Sequence, residues 1–214
     1  MKKRKIISFM SLLLCMTFLL SGCMGFSEKD AKEYTQGVLD AGYKGEYTLY
    51  RKTTKSTQEE AEKVYENTLQ SCVDGMGMAA GDGMISEETE KTVKDMFGNL
   101  LSKARYQVKE VEKNDKSFKV TVAVKPLQIS INALSEEVYD EIMNDETIMD
   151  ENVTEKEFYD RIYKGLADKI NAILENPEYG DEVEHIVTIV RNDKVYEIPK
   201  KELEALEIKM FNFN

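Results

Sequence analysis

The chain has 214 residues, with 40 acidic against 29 basic side chains, a formal charge of −11 and 42% apolar residues. That apolar content supplies a packed core, and the length fits one or two compact domains. The acidity argues against nucleic-acid binding, which needs clustered Lys and Arg, and against electrostatic attachment to anionic headgroups.

Residues 1–22 read as a lipoprotein signal peptide. Lys2, Lys3, Arg4 and Lys5 make a positive start, Ile6–Leu20 is an uncharged apolar run, and Leu20-Ser21-Gly22-Cys23 forms a bacterial lipobox. This 15-residue run is short of the roughly 20 that span a bilayer, and it closes on small residues instead of a charged stop. Leu20, Ser21 and Gly22 are expected to be read by the signal peptidase. Cys23 is expected to carry diacylglycerol on its sulfur, with palmitate-type chains, and to become residue one. Cys15 follows Leu12-Leu13-Leu14 and lacks the small pair. The mature chain then has 192 residues with 25 basic and 40 acidic side chains, a formal charge of −15. Its expected place is the outer face of the cytoplasmic membrane, held by lipid at ~0.8 kcal/mol per buried methylene.

Residues 23–26 read as a short tether and 27–214 as one domain. Ser27 with Asp30 signals a helix N-terminus. The helix that follows puts Ala31, Tyr34, Val38 and Ala41 on one face, and Gly42 and Gly45 close it. Tyr43 to Tyr50 reads as a loop with extended character. Thr57 and Glu60 open a second helix to about Val73, carrying Ala61, Val64, Tyr65, Leu69 and Cys72 on its apolar face. A glycine-rich loop is predicted over 74–83. Ser86 caps a third helix whose inner face is Val93, Met96, Phe97, Leu100, Leu101 and Ala104.

The apolar period then changes from 3.6 to 2. Tyr106 and Val108, a turn at Lys113-Asn114-Asp115-Lys116, and Phe118, Val120, Val122 and Val124 predict a β-hairpin. Pro126 interrupts it before Leu127, Ile129 and Ile131. A helix is predicted over Ser135–Met143. Another follows Thr154, with Phe158, Tyr159, Ile162, Tyr163, Leu166, Ile170, Ile173 and Leu174 facing inward, until Asn176-Pro177. A second hairpin spans Val183–Val190 and Val195–Ile198, and Pro199 opens a last helix with Leu203 and Leu206. The expected class is α+β, with helices on an antiparallel sheet built from two hairpins. The Asn-Asp-Lys turns recur 78 residues apart, which raises a helix-hairpin duplication of 56–132 and 135–210, although turn chemistry alone also accounts for them.

The side chains that carry chemistry are sparse. Cys72 is the one thiol left once Cys23 is acylated, and its helical spacing predicts a buried, unreactive group. His185 is the sole histidine, in an apolar run without a nucleophile elbow. Zinc sites built from several His or Cys are excluded by count. The segment 74–83 lacks the lysine of a phosphate loop. The acidic stretch 144–152 offers oxygens to calcium but lacks the alternating spacing and glycine of a calcium loop. Carboxylate pairs for glycoside hydrolysis are everywhere, and nothing selects one. There is no tryptophan for sugar stacking, and Tyr34, Tyr65, Tyr159 and Tyr163 fall at core positions.

Ala31-Lys32-Glu33-Tyr34 and Val38-Leu39-Asp40-Ala41-Gly42-Tyr43-Lys44-Gly45 resemble the opening of uncharacterised lipoproteins from Firmicutes. Lys103-Ala104-Arg105-Tyr106-Gln107-Val108 and Lys194-Val195-Tyr196-Glu197-Ile198 are similar to later segments of such proteins. The resemblance covers most of the mature chain and implies a Gram-positive surface lipoprotein. It carries no assigned activity and no catalytic residue. The expected function is a lipid-anchored binding or interaction module without catalysis, cofactor or metal. Its partner is an unknown protein or small molecule at the membrane surface. The alternatives are a cell-wall hydrolase using paired carboxylates and the ligand-binding accessory of a transporter.

Overall fold

Ten to twenty-odd residues of helix precede each hairpin, and both hairpins enter the same sheet. The computed structural model describes residues 25–80, 83–145, 153–192 and 195–212. Its order is α1 (Glu28–Lys44), α2 (Thr48–Thr54), α3 (Gln58–Ala80), α4 (Glu87–Ser102), β1 (Arg105–Asn114), β2 (Ser117–Lys125), β3 (Leu127–Gln128), α5 (Ile131–Met143), α6 (Glu155–Glu175), β4 (Val183–Asn192), β5 (Val195–Glu197), α7 (Lys200–Met210) and β6 (Phe211–Asn212). The class is α+β. Hairpins β1–β2 and β4–β5 join through β2 and β4 into a four-stranded sheet of order β1-β2-β4-β5, antiparallel throughout.

The alternation in β2 sets the register. Phe118 opposes Ile189, Val120 opposes Val187 and Val122 opposes His185, so the apolar set of each strand falls on one face. Helix α1 crosses that sheet near β1 and β2, and α7 packs on β4 and β2. Helices α2, α3 and α4 pack around α1, α6 packs on α4, and α5 packs on α6. Local capping explains why these helices start where they do. The Ser27 hydroxyl accepts from the Asp30 amide at 3.2 Å while Asp30 Oδ2 accepts from the Ser27 amide at 2.9 Å. Thr154 and Glu157 repeat the arrangement at 3.2 and 2.8 Å. Gly45 ends α1 in the left-handed region at φ +63°.

Several expectations are corrected. Helix α2 occupies Thr48–Thr54, inside and beyond the stretch expected to be loop. Its three threonines and Tyr50 have weak helix propensity, and tertiary packing overrides it: Tyr50 is fully buried, held where α1 presents Gly37. A Cβ on Gly37 would lie 2.7 Å from the Tyr50 amide nitrogen, so the close approach of the two helices depends on that missing atom. Helix α3 continues to Ala80, through most of the expected loop. The Met and Ala residues there are strong helix formers and outweigh a glycine cost of about 1 kcal/mol each. Residues 81–82 lie outside the described residues. Helix α5 starts a turn earlier than predicted because Ser130 accepts from the Ala133 amide at 3.3 Å, so Ile131 is helical instead of extended. The parallel pairing of β3 with β6 joins segments more than eighty residues apart and has no local signature.

Candidate functional site

Two places concentrate unusual chemistry, and neither was singled out in the sequence. The first is where the described chain begins. Phe26, expected to be tether, belongs to the folded body. Its ring stacks on Tyr196 at 4.2 Å between centroids and 14° between planes, and meets Phe118 edge-on at 5.2 Å and Tyr34 at 6.4 Å. The clamp therefore draws on α1, β2 and β5. Aromatic pairs of this kind are worth about 0.5–1.5 kcal/mol each beyond area burial. A sequence signal existed: Phe26 precedes the cap residue, where an apolar side chain commonly fixes the entry of a helix.

The clamp sits at the turn end of both hairpins. Phe118 lies one residue beyond Ser117, which follows the Asp115-Lys116 turn, and Tyr196 pairs with Arg191 across β4–β5. The Arg191 amide donates to the Lys116 carbonyl at 3.1 Å, which ties the two hairpin ends together. Lys113 lies 6.0 Å from the Phe118 ring centre and Arg191 lies 5.9 Å from that of Tyr196. Cations thus fringe the aromatic cluster.

The second place is a sealed carboxyl. Glu207 on α7 is 2% exposed, and its Oε2 has no hydrogen-bond partner. The Tyr43 hydroxyl donates to its Oε1 at 3.0 Å. Burial pushes the Glu207 carboxyl up to about 8; the Tyr43 hydrogen bond opposes this, Glu204 adds to it and Lys200 counteracts it. Burial, assisted by Glu207, also pushes the Cys72 thiol up to about 12. The Tyr43 ring packs against Phe211 at 5.9 Å and Tyr106 at 6.1 Å, and the Tyr106 hydroxyl donates to Asp40 at 2.6 Å. A neutral acid enclosed by aromatic rings has no route to a bulky substrate, so this arrangement is suited to core structure and to responding to pH. Spacing offered a signal here too. Leu203, Leu206, Glu207 and Met210 follow the i, i+3, i+4, i+7 pattern of a buried stripe, while Ile208 points outward at 62% exposure.

The remaining candidates fall as follows. Cys72 is buried, as its spacing predicts. His185 is half-buried on the inner face of β4, and burial lowers its pKa, with Glu202 and Lys209 acting in opposite directions. Tyr34 and Tyr163 are buried, and Tyr65 and Tyr159 are partly so. Leu20, Ser21, Gly22 and Cys23 lie outside the described residues, as do 146–152 of the acidic stretch. Among the described residues, no group of three or more His, Cys, Asp or Glu is arranged to hold a metal, and no helix is long and apolar enough to cross a membrane.

No protein-family model matches the chain, and no curated protein does. A solved structure does. The crystal structure of YcdA, a candidate lipoprotein of Bacillus subtilis, superposes with a TM-score of 0.56 at 15% sequence identity. The match covers 85% of this chain and 56% of YcdA, so the chain spans little more than half of that protein's length. At this identity the likeness shows a shared α+β fold.

Proposed function

We propose that this protein is an extracytoplasmic lipoprotein of the Firmicutes type. Diacylglycerol on Cys23 holds it at the outer face of the cytoplasmic membrane, where it serves as a binding module without catalysis. The observation that carries the reading is the Phe26 clamp. It starts the folded body three residues after the lipobox cysteine, and three residues reach no more than about 11 Å. A body built to begin there is a body held at a surface. The fold shared with a candidate lipoprotein supports the same reading. The sealed position of Glu207, the unreactive setting of Cys72 and the inward-facing, half-buried His185 place these three groups in the packing of the body, which supports a binding role over a catalytic one for them. The test is Cys23→Ala in a Gram-positive host. Release of a folded protein into the medium is the expected outcome, with loss of the diacylglycerol mass. Retention of the variant in the membrane fraction would sink the anchor, and cleavage of cell-wall fragments by the purified protein would sink the non-catalytic part.

A further inference from the structure

We propose that the outward face of α5 is a docking surface for a cationic amphipathic helix of a partner protein. This rests on the reading of the body as a binding module and adds the face it uses and the chemistry of what it takes. Helical spacing defines the face. Glu136, Tyr139, Asp140 and Met143 recur at i, i+3, i+4 and i+7 and form one stripe, while Val138 and Ile142 turn the other way and are buried. Tyr139 and Met143 stand 47% and 40% exposed, one turn apart. The packing beneath holds the stripe in place. Val138 and Ile142 pack with Phe158 and Ile162 of α6 in a small cluster of their own. A Cβ on Gly165 would meet Val138 Cγ1 at 3.0 Å, so α5 sits close on α6. The Tyr139 ring meets Phe158 edge-on at 6.4 Å, and Phe158 meets Tyr159 at 5.8 Å, so the exposed ring is the outer rung of an aromatic ladder. An apolar pair backed in this way needs little ordering when a partner arrives.

Charge selects the partner. Residues 126–155 contain nine acids and no Lys or Arg. Four of those acids, Glu136, Glu137, Asp140 and Glu141, lie on α5. The bases that α6 sets against them are spoken for or surrounded. Lys169 is shared by Glu137 and Glu141 at 2.8 and 2.9 Å, and Lys164 holds Glu88 of α4 at 2.8 Å. Arg161 already has a partner, and Lys156 stands between Glu155 and Glu157. From Ile131 to Lys169 the chain carries twelve acids against four bases, a surplus of eight. Among the described residues, Glu136 and Asp140 on the stripe have no cation beside them. A helix with aliphatic residues at the same spacing, flanked by Lys and Arg, matches this face. Its apolar side chains pack on Tyr139 and Met143, and its cations meet the two carboxylates and the ring. A second copy would bring the same acids to the contact, and nucleic acid or anionic lipid would be repelled by them.

The experiment uses the full lipidated protein in phosphatidylcholine vesicles, whose neutral surface does not attract the probe. The probe is a fluorescent synthetic helix of about five turns, with Leu at i, i+3, i+4 and i+7 and Lys on either side. Its anisotropy reads binding against protein-free vesicles. Binding should weaken as salt rises, and a probe with Glu for Lys, or with its order scrambled, should bind about tenfold more weakly or worse. Tyr139→Ser with Met143→Ser should weaken binding about tenfold, with thermal melting unchanged because both side chains are exposed. Glu136→Gln with Asp140→Asn should weaken it about threefold and flatten its salt dependence. Glu136→Lys with Asp140→Lys should reduce it to the protein-free level. Glu110→Gln with Glu112→Gln, at exposed positions of β1, should leave it within about twofold. A β1 variant that loses as much as the α5 variant, or a scrambled probe bound as tightly, means charge attraction alone and overturns the docking surface. Binding that survives the loss of Tyr139 and Met143 does the same. Crosslinked pairs of the protein that vanish in the Tyr139 and Met143 variant assign the face to a second copy and overturn the cationic partner. Vesicle flotation reports the anchor separately: floating without binding overturns the docking surface alone, and binding without floating overturns the anchor alone.

Discussion

Glu207→Gln should destabilise this protein by about 1–3 kcal/mol near pH 4.5 and become net stabilising as the pH rises into the alkaline range. The carboxyl titrates at about 8 in the fold against an ordinary 4.5. The native state therefore holds a proton that the unfolded chain has lost. Stability is undiminished below pH 4.5, falls as pH rises, and stops falling above 8. With 1.36 kcal/mol per pH unit, the loss is about 3 kcal/mol at pH 7 and about 5 kcal/mol at pH 9. Glutamine keeps an acceptor for the Tyr43 hydroxyl and cannot ionise. Its two amide hydrogens lack partners in this setting, which costs about 1–3 kcal/mol at every pH. The diagnostic is therefore slope. Urea midpoints measured from pH 4.5 to 9 give unfolding free energies for both proteins. Their difference should grow in favour of the variant by roughly 1.4 kcal/mol per unit between pH 5 and 8. Parallel curves would mean that Glu207 is ionised in the fold, hydrated by a route the packing does not reveal, and the reasoning from burial would be wrong.

Gly37→Ala should lower stability by about 1–3 kcal/mol, because the new methyl meets the Tyr50 backbone at 2.7 Å and must separate α1 from α2; thermal melting would register it. Cys72 should resist thiol reagents at pH 8 until the protein is unfolded, since its thiol is buried and pushed up to about 12, and Cys72→Ala should cost about 1–3 kcal/mol in chemical denaturation without impairing function. Phe26→Ala should cost about 2 kcal/mol, below a fully buried aromatic because the ring is only partly buried, and limited proteolysis should then cut ahead of α1 with the rest of the body intact.

The elements that announced themselves did so through local physics. Ser86, Thr154 and Ser27 each hold the first turn of the helix they were expected to start, since a capping hydroxyl and an amide three residues on need nothing from the rest of the chain. The strict alternation from Phe118 to Val124 likewise settles which face of β2 is dry. What stayed hidden depends on distant partners. Thr48–Thr54 is helical because Gly37 lets it lie against α1, and nothing in its own residues says so. Glu207 occupies a position that spacing marks as inner, but residue type overrode spacing, because an isolated glutamate is cheaper in water than in a core. At the chain start, Phe26 finds rings brought from β2 and β5, which lie roughly 90 and 170 residues on. Lys113, which the sequence places only in a turn, comes to lie 6.0 Å from the centre of the Phe118 ring.

The pairing of the chain's last elements with its first has a consequence for timing. Tyr43 on α1 is closed over by Glu207 and Phe211, Leu127 waits for Phe211 as its strand neighbour, and Leu203, Leu206 and Met210 complete the layer beneath β4. Until those residues arrive, the earlier helices can form turns and the first hairpin can zip, but the interior stays wet on one side. A chain emerging N-terminus first thus has no finished interior to collapse into until nearly its whole length is free. It remains threadable through a narrow passage for as long as the passage holds its tail, then gains its stability in one late, cooperative step.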